Sequence, residues 1–210
     1  GLCSLRPNED KLCFSAVFEM DDKGKIYNEW FGRTAIHSDR RFTYEDAQEI
    51  IETKEGDFAE EVLKLNEIAY ALREKRFQQG AIGFETTEVR FKLDENGKPL
   101  EVVPKVRKDS HKLVEDFMLL ANKKVAEFVF TKNGKDKDPL TMVYRVHENP
   151  NPERLAAFAK FAGRFGHTVK LDDKSIAHSI NKLVLDIEGK PEEDVLQQLA
   201  IRSMAKARYT

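Results

Sequence analysis

Cysteine is scarce in this 210-residue chain: there are two, Cys3 and Cys13. Two are too few for a disulfide framework, and a pair of free thiols in a reducing compartment is the reading that follows. Long hydrophobic runs are missing as well. No stretch approaches the roughly 20 apolar residues that a membrane-spanning helix needs, and the first residues lack the charged, apolar, small-residue order of a secretory signal. Charge of one sign is almost balanced out, 35 Lys and Arg against 37 Asp and Glu giving −2, so any attraction for a polyanion has to be local. There is no glycine-rich phosphate loop, zinc-type Cys/His spacing or nucleophile elbow. The acidic pairs sit where structure explains them: Asp21-Asp22 in a turn, Asp172-Asp173 before a helix, and Glu192-Glu193-Asp194 in a helix's first turn, where the dipole favours acids.

What is present is enough for a real core, since 40% of the residues are hydrophobic. Strand formers fill 11–20 and 25–37 around the turn Asp21-Asp22-Lys23-Gly24, which predicts a hairpin. Thr43 is placed to cap a helix from Tyr44 to about Glu52, and a second helix runs from about Phe58 to Gln78, stopped by Gly80. Glu88 to Leu93 and Pro99 to Val106 form a second hairpin about Asp94-Glu95-Asn96-Gly97. A long helix then spans about Asp109 to Phe130. Thr141 to Val146 reads as a strand, and helices over 152–165, 173–185 and 191–207 make the C-terminal third helical. The expected class is α+β, mainly antiparallel strands packed against helices, with residues 1–210 forming one body without a separate second domain.

The long helix carries the candidate site. Wound at about 100° per residue, it places Leu113, Val114, Phe117, Met118, Ala121, Val125 and Phe128 on one broad apolar face. Glu115 and Asn122 fall at its edge and would border the interior, whereas Asp116, Lys123 and Glu127 would face water. Two readings of Glu115 and Asn122 stay open, a functional site and a satisfied polar pair that anchors a loop. His111 lies four residues before Glu115, a spacing that suits an ion pair more than a metal site. Basic residues cluster before the helix (Lys105, Arg107, Lys108, Lys112), at 73–76 and near the end (Arg202, Lys206, Arg208). Each cluster is a solvated face or a phosphate contact. Tyr44 beside Arg40 and Arg41, and Phe84 after Gly80-Ala81-Ile82-Gly83, are aromatics of the kind that stack on bases, although a core role is the competing reading.

Several motifs then line up in one order: Leu2-Cys3-Ser4-Leu5-Arg6-Pro7 with Asp10, Arg41-Phe42-Thr43-Tyr44-Glu45-Asp46-Ala47, and Leu72-Arg73 with Arg76 before Gly80-Ala81-Ile82 and Phe84. Leu113-Val114-Glu115-Asp116-Phe117-Met118-Leu119-Leu120-Ala121-Asn122 follows, then Tyr144-Arg145-Val146-His147 with Pro150, and Arg202-Ser203-Met204 with Ala207 and Tyr209. In these the chain resembles the catalytic (RNB) domain of the ribonuclease II and ribonuclease R exoribonucleases, most of all the bacterial ribonuclease R branch.

The resemblance implies processive, magnesium-dependent hydrolysis of single-stranded RNA from the 3′ end to nucleoside 5′-monophosphates; the chain reads as soluble, and a cytoplasmic location is expected. It implies that Phe84 clamps stacked 3′-terminal bases and that Tyr44 and Glu115 meet the terminal nucleotides and their ribose. Asn122 and Arg145 would be structural, with a phosphate contact the alternative for Arg145; Arg107 and Lys108, from the basic cluster before the helix, are the other candidate phosphate contacts. The family's metal-binding aspartates precede the Leu2-Cys3-Ser4-Leu5 motif, and a second catalytic segment follows the position of Tyr209. The chain is therefore expected to be the central part of the domain, with no catalytic or metal-ligating residue of its own, no bound Mg2+, and no hydrolytic activity in isolation. A non-catalytic RNA-binding relative is the alternative. Neither a membrane nor a protein partner is implied.

Overall fold

The computed structural model describes residues 4–84, 88–132, 140–172 and 175–210. Leu2, Cys3 and Asp173, which figure in the sequence reading, lie outside the described residues. By its internal contacts the chain divides into two compact units, Gly1–Lys75 with Arg107–Thr141, and Arg76–Val106 with Met142–Thr210.

In the first unit the alternating strand formers pair as expected. β1 (Asp10–Met20) and β2 (Ile26–His37) form an antiparallel hairpin, Phe14 opposite Arg33 and Val17 opposite Trp30. Its turn is closed by Asp21, whose Oδ1 accepts the backbone N–H groups of Lys23 (3.0 Å) and Lys25 (2.9 Å) while Oδ2 accepts the Tyr27 hydroxyl (2.9 Å). Gly24 sits in the left-handed region at φ +68°, which favours glycine, and a Cβ there would come within 2.8 Å of Leu72 Cδ2, so the leucine side chain would have to shift as well. α1 (Tyr44–Thr53) starts from a reciprocal cap: Thr43 Oγ1 accepts the Asp46 N–H, and Asp46 Oδ2 accepts the Thr43 N–H. α2 (Ala59–Gln78) ends at Gly80, φ +96°, with the Ala81 N–H returning to the Arg76 carbonyl at 3.1 Å.

α3 (Asp109–Thr131) is the long helix. It holds the hairpin through Phe128 on Phe31, ring centroids 4.7 Å apart, and through Lys124 Nζ on Glu29, 3.0 Å.

In the second unit β3 (Glu88–Leu93) and β4 (Pro99–Lys105) form the second hairpin. The core is helical. Leu155, Phe158 and Ala162 of α4 (Pro152–Gly163), Ile180, Leu183 and Ile187 of α5 (Ile176–Ile187), and Leu196 and Ala200 of α6 (Glu193–Ser203) are buried together. Their i, i+3 and i+4 spacing gives each helix one apolar stripe. Asn151 caps α4 by accepting the Arg154 N–H at 3.0 Å, with Pro152 at the first helical position, as the Asn-Pro-Asn-Pro run predicts.

Two elements near the C-terminal third depart from the sequence reading. The strand expected over 141–146 shrinks to β5 (Arg145–Val146), and it pairs with β6 (Arg208–Tyr209), where the last helix was expected to be finishing. Tyr144 and Thr210 exchange backbone hydrogen bonds of 2.8 and 2.9 Å. That pairing joins distant parts of the chain, so no local pattern announces it.

Among the described residues no helix is long and apolar enough to cross a membrane.

Candidate functional site

Four of the six singled-out residues gather where α1 meets the start of α3. The Thr43–Asp46 cap makes Tyr44 the first residue of α1, and Gln48 follows one turn later on the same face. Gln48 is buried and its Oε1 accepts the N–H of Ser110, also buried, at 3.0 Å. This satisfies one of the free amides that every helix start leaves, a service that Lys108, the residue at the N-cap of α3, does not perform. Gln48 Nε2 donates to Glu52 Oε1 at 3.0 Å, and Lys108 Nζ lies 3.4 Å from the same oxygen. The Gln48 bond and then Lys108 hold the Glu52 carboxyl below the usual carboxylate range. With α1 and α3 tied in this way, the Tyr44 and His111 rings stack face to face, centroids 4.1 Å apart and planes 9° from parallel.

A cavity of about 720 Å³ opens beside this junction, its lining including Arg40, Arg41, Phe42, Tyr44, Phe58 and Ser110. The Arg40 guanidinium lies over the Phe42 ring at 5.4 Å and 3.8 Å from Asp57. Half-exposed aromatic faces beside guanidinium groups suit a flat ring carrying an anionic group. The Ser110 hydroxyl and His111 Nδ1 are buried without a hydrogen-bond partner.

α3 itself is turned relative to the sequence reading. Asp116, expected in water, is 3% exposed and accepts from Arg73 Nε at 2.9 Å, whereas Asn122, expected at the interior edge, is exposed. Glu115 is half-exposed and paired with Arg107. It does not form the expected pair with His111, whose ring is taken by Tyr44. Val114 and Met118, expected on the buried face, are 39% and 59% exposed. The cause is a partner the wheel cannot see: Arg73 on α2 compensates a buried carboxylate at a position where hydrophobicity alone forbids one.

The remaining candidates lie in the second unit. Phe84 is half-buried and packs against the helical core. Its approach is fixed by Asn181 of α5, whose side-chain carbonyl accepts the Gly83 N–H at 3.1 Å and whose amide donates to the Ala81 carbonyl at 2.8 Å. Arg145 is exposed in β5. Of the basic residues proposed for phosphate, Arg107 and Lys108 are engaged with Glu115 and Glu52. Gln48, Asn181, and His111 as Tyr44's stacking partner were missed. Gln48 alone left a trace in the sequence, an amide one turn after Tyr44. Among the described residues no group of three or more His, Cys, Asp or Glu is placed to hold a metal ion.

A family model, the RNB domain, matches residues 1–210. Ribonuclease R of Aquifex aeolicus is 32% identical over 215 residues, covering 100% of this chain and 30% of that protein. The structure of Mycoplasma genitalium RNase R in complex with ribose methylated single-stranded RNA superposes with a TM-score of 0.87 at 20% identity, over 100% of this chain and 33% of that one. Yeast Ssd1, described as a pseudonuclease, shares the fold at a TM-score of 0.71 and 20% identity, over 98% of this chain and 24% of its own. The chain thus spans about a third or less of the length of these relatives. With its whole length matched and its α+β architecture shared, the chain belongs to the RNB-domain family.

Proposed function

We propose that this chain is part of a cytoplasmic exoribonuclease that degrades single-stranded RNA processively from the 3′ end to nucleoside 5′-monophosphates. The observation that carries the reading is the RNB match over residues 1–210 together with the identity to a protein named ribonuclease R. The capture of single-stranded RNA by the Mycoplasma relative supports RNA as the substrate. Tyr44 and Glu115 meet the terminal nucleotides and ribose in this reading, since a phenol and a carboxylate can bond a 2′-hydroxyl that DNA lacks. Phe84 stacks on bases. Arg145 meets phosphate, and Arg107 and Lys108 do so once they exchange Glu115 and Glu52 for the strand. Magnesium is required by the whole protein in this reading.

The test uses full-length protein, magnesium and single-stranded RNA labelled at its 3′ end. Labelled mononucleotide at the earliest time point is expected, and internal fragments as first products would sink the proposal. A second reading, an RNA-binding relative without catalysis, is favoured by the shared fold of the pseudonuclease Ssd1. RNA bound and left intact by the full-length protein would select it.

A further inference from the structure

We infer that His111 is a positioning residue for Tyr44, acting by covering one ring face so that the other face and the hydroxyl alone remain for RNA. This rests on the proposed role of Tyr44 as an RNA contact and adds to it a second residue that fixes how the contact is presented.

The two rings lie nearly parallel and in contact, 4.1 Å between centroids and 9° between planes, closer and flatter than the tilted ring pairs elsewhere in the chain. Hydrogen bonding does not account for the placement of His111. Its Nδ1 is buried with no partner, which is an unfavourable state for a ring nitrogen, and the acid four residues on, Glu115, is engaged by Arg107 instead. What sets the imidazole is the backbone beneath it. The preceding residue, Ser110, is pinned through its N–H by Gln48, and Gln48 stands one turn after Tyr44 on α1. Two contacts thus join the two helices in register: Gln48 with Ser110, and Tyr44 with His111.

Tyr44 remains 45% exposed beside the cavity. A tyrosine free on both faces could receive bases in two stacking geometries. With an imidazole on one face it receives a base or ribose from one side only, and its hydroxyl points along a fixed line. His111 acts through Tyr44 and is not itself assigned a substrate contact.

The test is a double-mutant cycle on full-length protein, read as affinity for single-stranded RNA and as the ratio of RNA to DNA affinity under conditions without turnover. His111→Gln keeps a helix-compatible polar side chain but removes the ring, and should weaken RNA binding by about two- to tenfold, the span of an aromatic pair. His111→Phe restores the ring and should return affinity and the RNA-to-DNA ratio to near the starting values. In a Tyr44→Ala background, His111→Gln should cost nothing further, because the residue through which it acts is gone. An equal loss in both backgrounds overturns the inference, as does failure of His111→Phe to restore binding when its thermal midpoint matches the parent's. If Tyr44→Ala alone leaves RNA affinity unchanged, the Tyr44 contact falls and this inference with it. If Tyr44→Ala weakens binding and His111→Gln does not, only the positioning role falls.

Discussion

Arg73 on α2 and Asp116 on α3 form a buried ion pair, Nε to Oδ2 at 2.9 Å with side chains 17% and 2% exposed. A carboxylate so far out of water is tolerable only when a cation and hydrogen bonds compensate it. Removing one partner strands the other charge. Asp116→Ala is therefore expected to destabilise the protein by about 3–5 kcal/mol, the usual cost of breaking a buried pair. Denaturant titration measures it, and a loss below about 1 kcal/mol, typical of surface pairs, would contradict the burial.

The neighbouring acid should behave in the opposite way. Glu115 and Arg107 are 39% and 40% exposed in their side chains, so their pairing is screened by water. Glu115→Gln is expected to change stability by less than about 1 kcal/mol. On the proposed function it should nonetheless reduce the preference for RNA over DNA, because the amide accepts the ribose hydroxyl less strongly than the carboxylate. Equal affinity ratios for variant and parent in a binding assay would remove Glu115 from ribose recognition.

These two acids also show how far the sequence could be read. The hairpins, the Thr43 cap and the extent of α3 were legible, because each follows from local rules of period, turn and cap. Which of Glu115 and Asp116 turns inward was not. That choice depends on Arg73, distant in sequence, and a hydrophobic wheel registers no partner. The same limit hid β6, whose pairing with β5 joins Tyr209 to Arg145, and Gln48, an ordinary surface-type residue until Ser110 is placed above it. At the candidate site, residue types were legible from motifs, while the tie between α1 and α3 had to be seen.

Tyr44 and Phe84 should separate in their effects even though both are proposed to stack on bases. Tyr44 is 45% exposed and contributes little to any core, so Tyr44→Ala should weaken RNA binding by about 1–3 kcal/mol with only a small loss of stability. Phe84 is half-buried against the helices of the second unit. Phe84→Ala should cost about 1–2 kcal/mol of stability, less than a fully buried phenylalanine, along with any loss of RNA affinity. Thermal melting and binding measured on both variants check the contrast. A Phe84→Ala protein that melts like the parent would contradict its packing against the core.

Acid should loosen α1 where Tyr44 sits. The Thr43 N–H bond, followed by the Thr43 side chain, holds the Asp46 carboxyl below the usual carboxylate range, and the Gln48 bond does the same for Glu52. A carboxyl whose value is lowered by folding binds more protons in the unfolded chain as the solution is acidified. Its stabilisation is complete above the ordinary value of about 4 and is lost as pH falls through the lowered one. The helix start should accordingly be insensitive to pH around neutrality and weaken only in acid. Thermal midpoints between about pH 6 and pH 3 should fall less steeply for Asp46→Asn than for the parent. Equal slopes for the two proteins would mean that the cap carries none of the acid sensitivity.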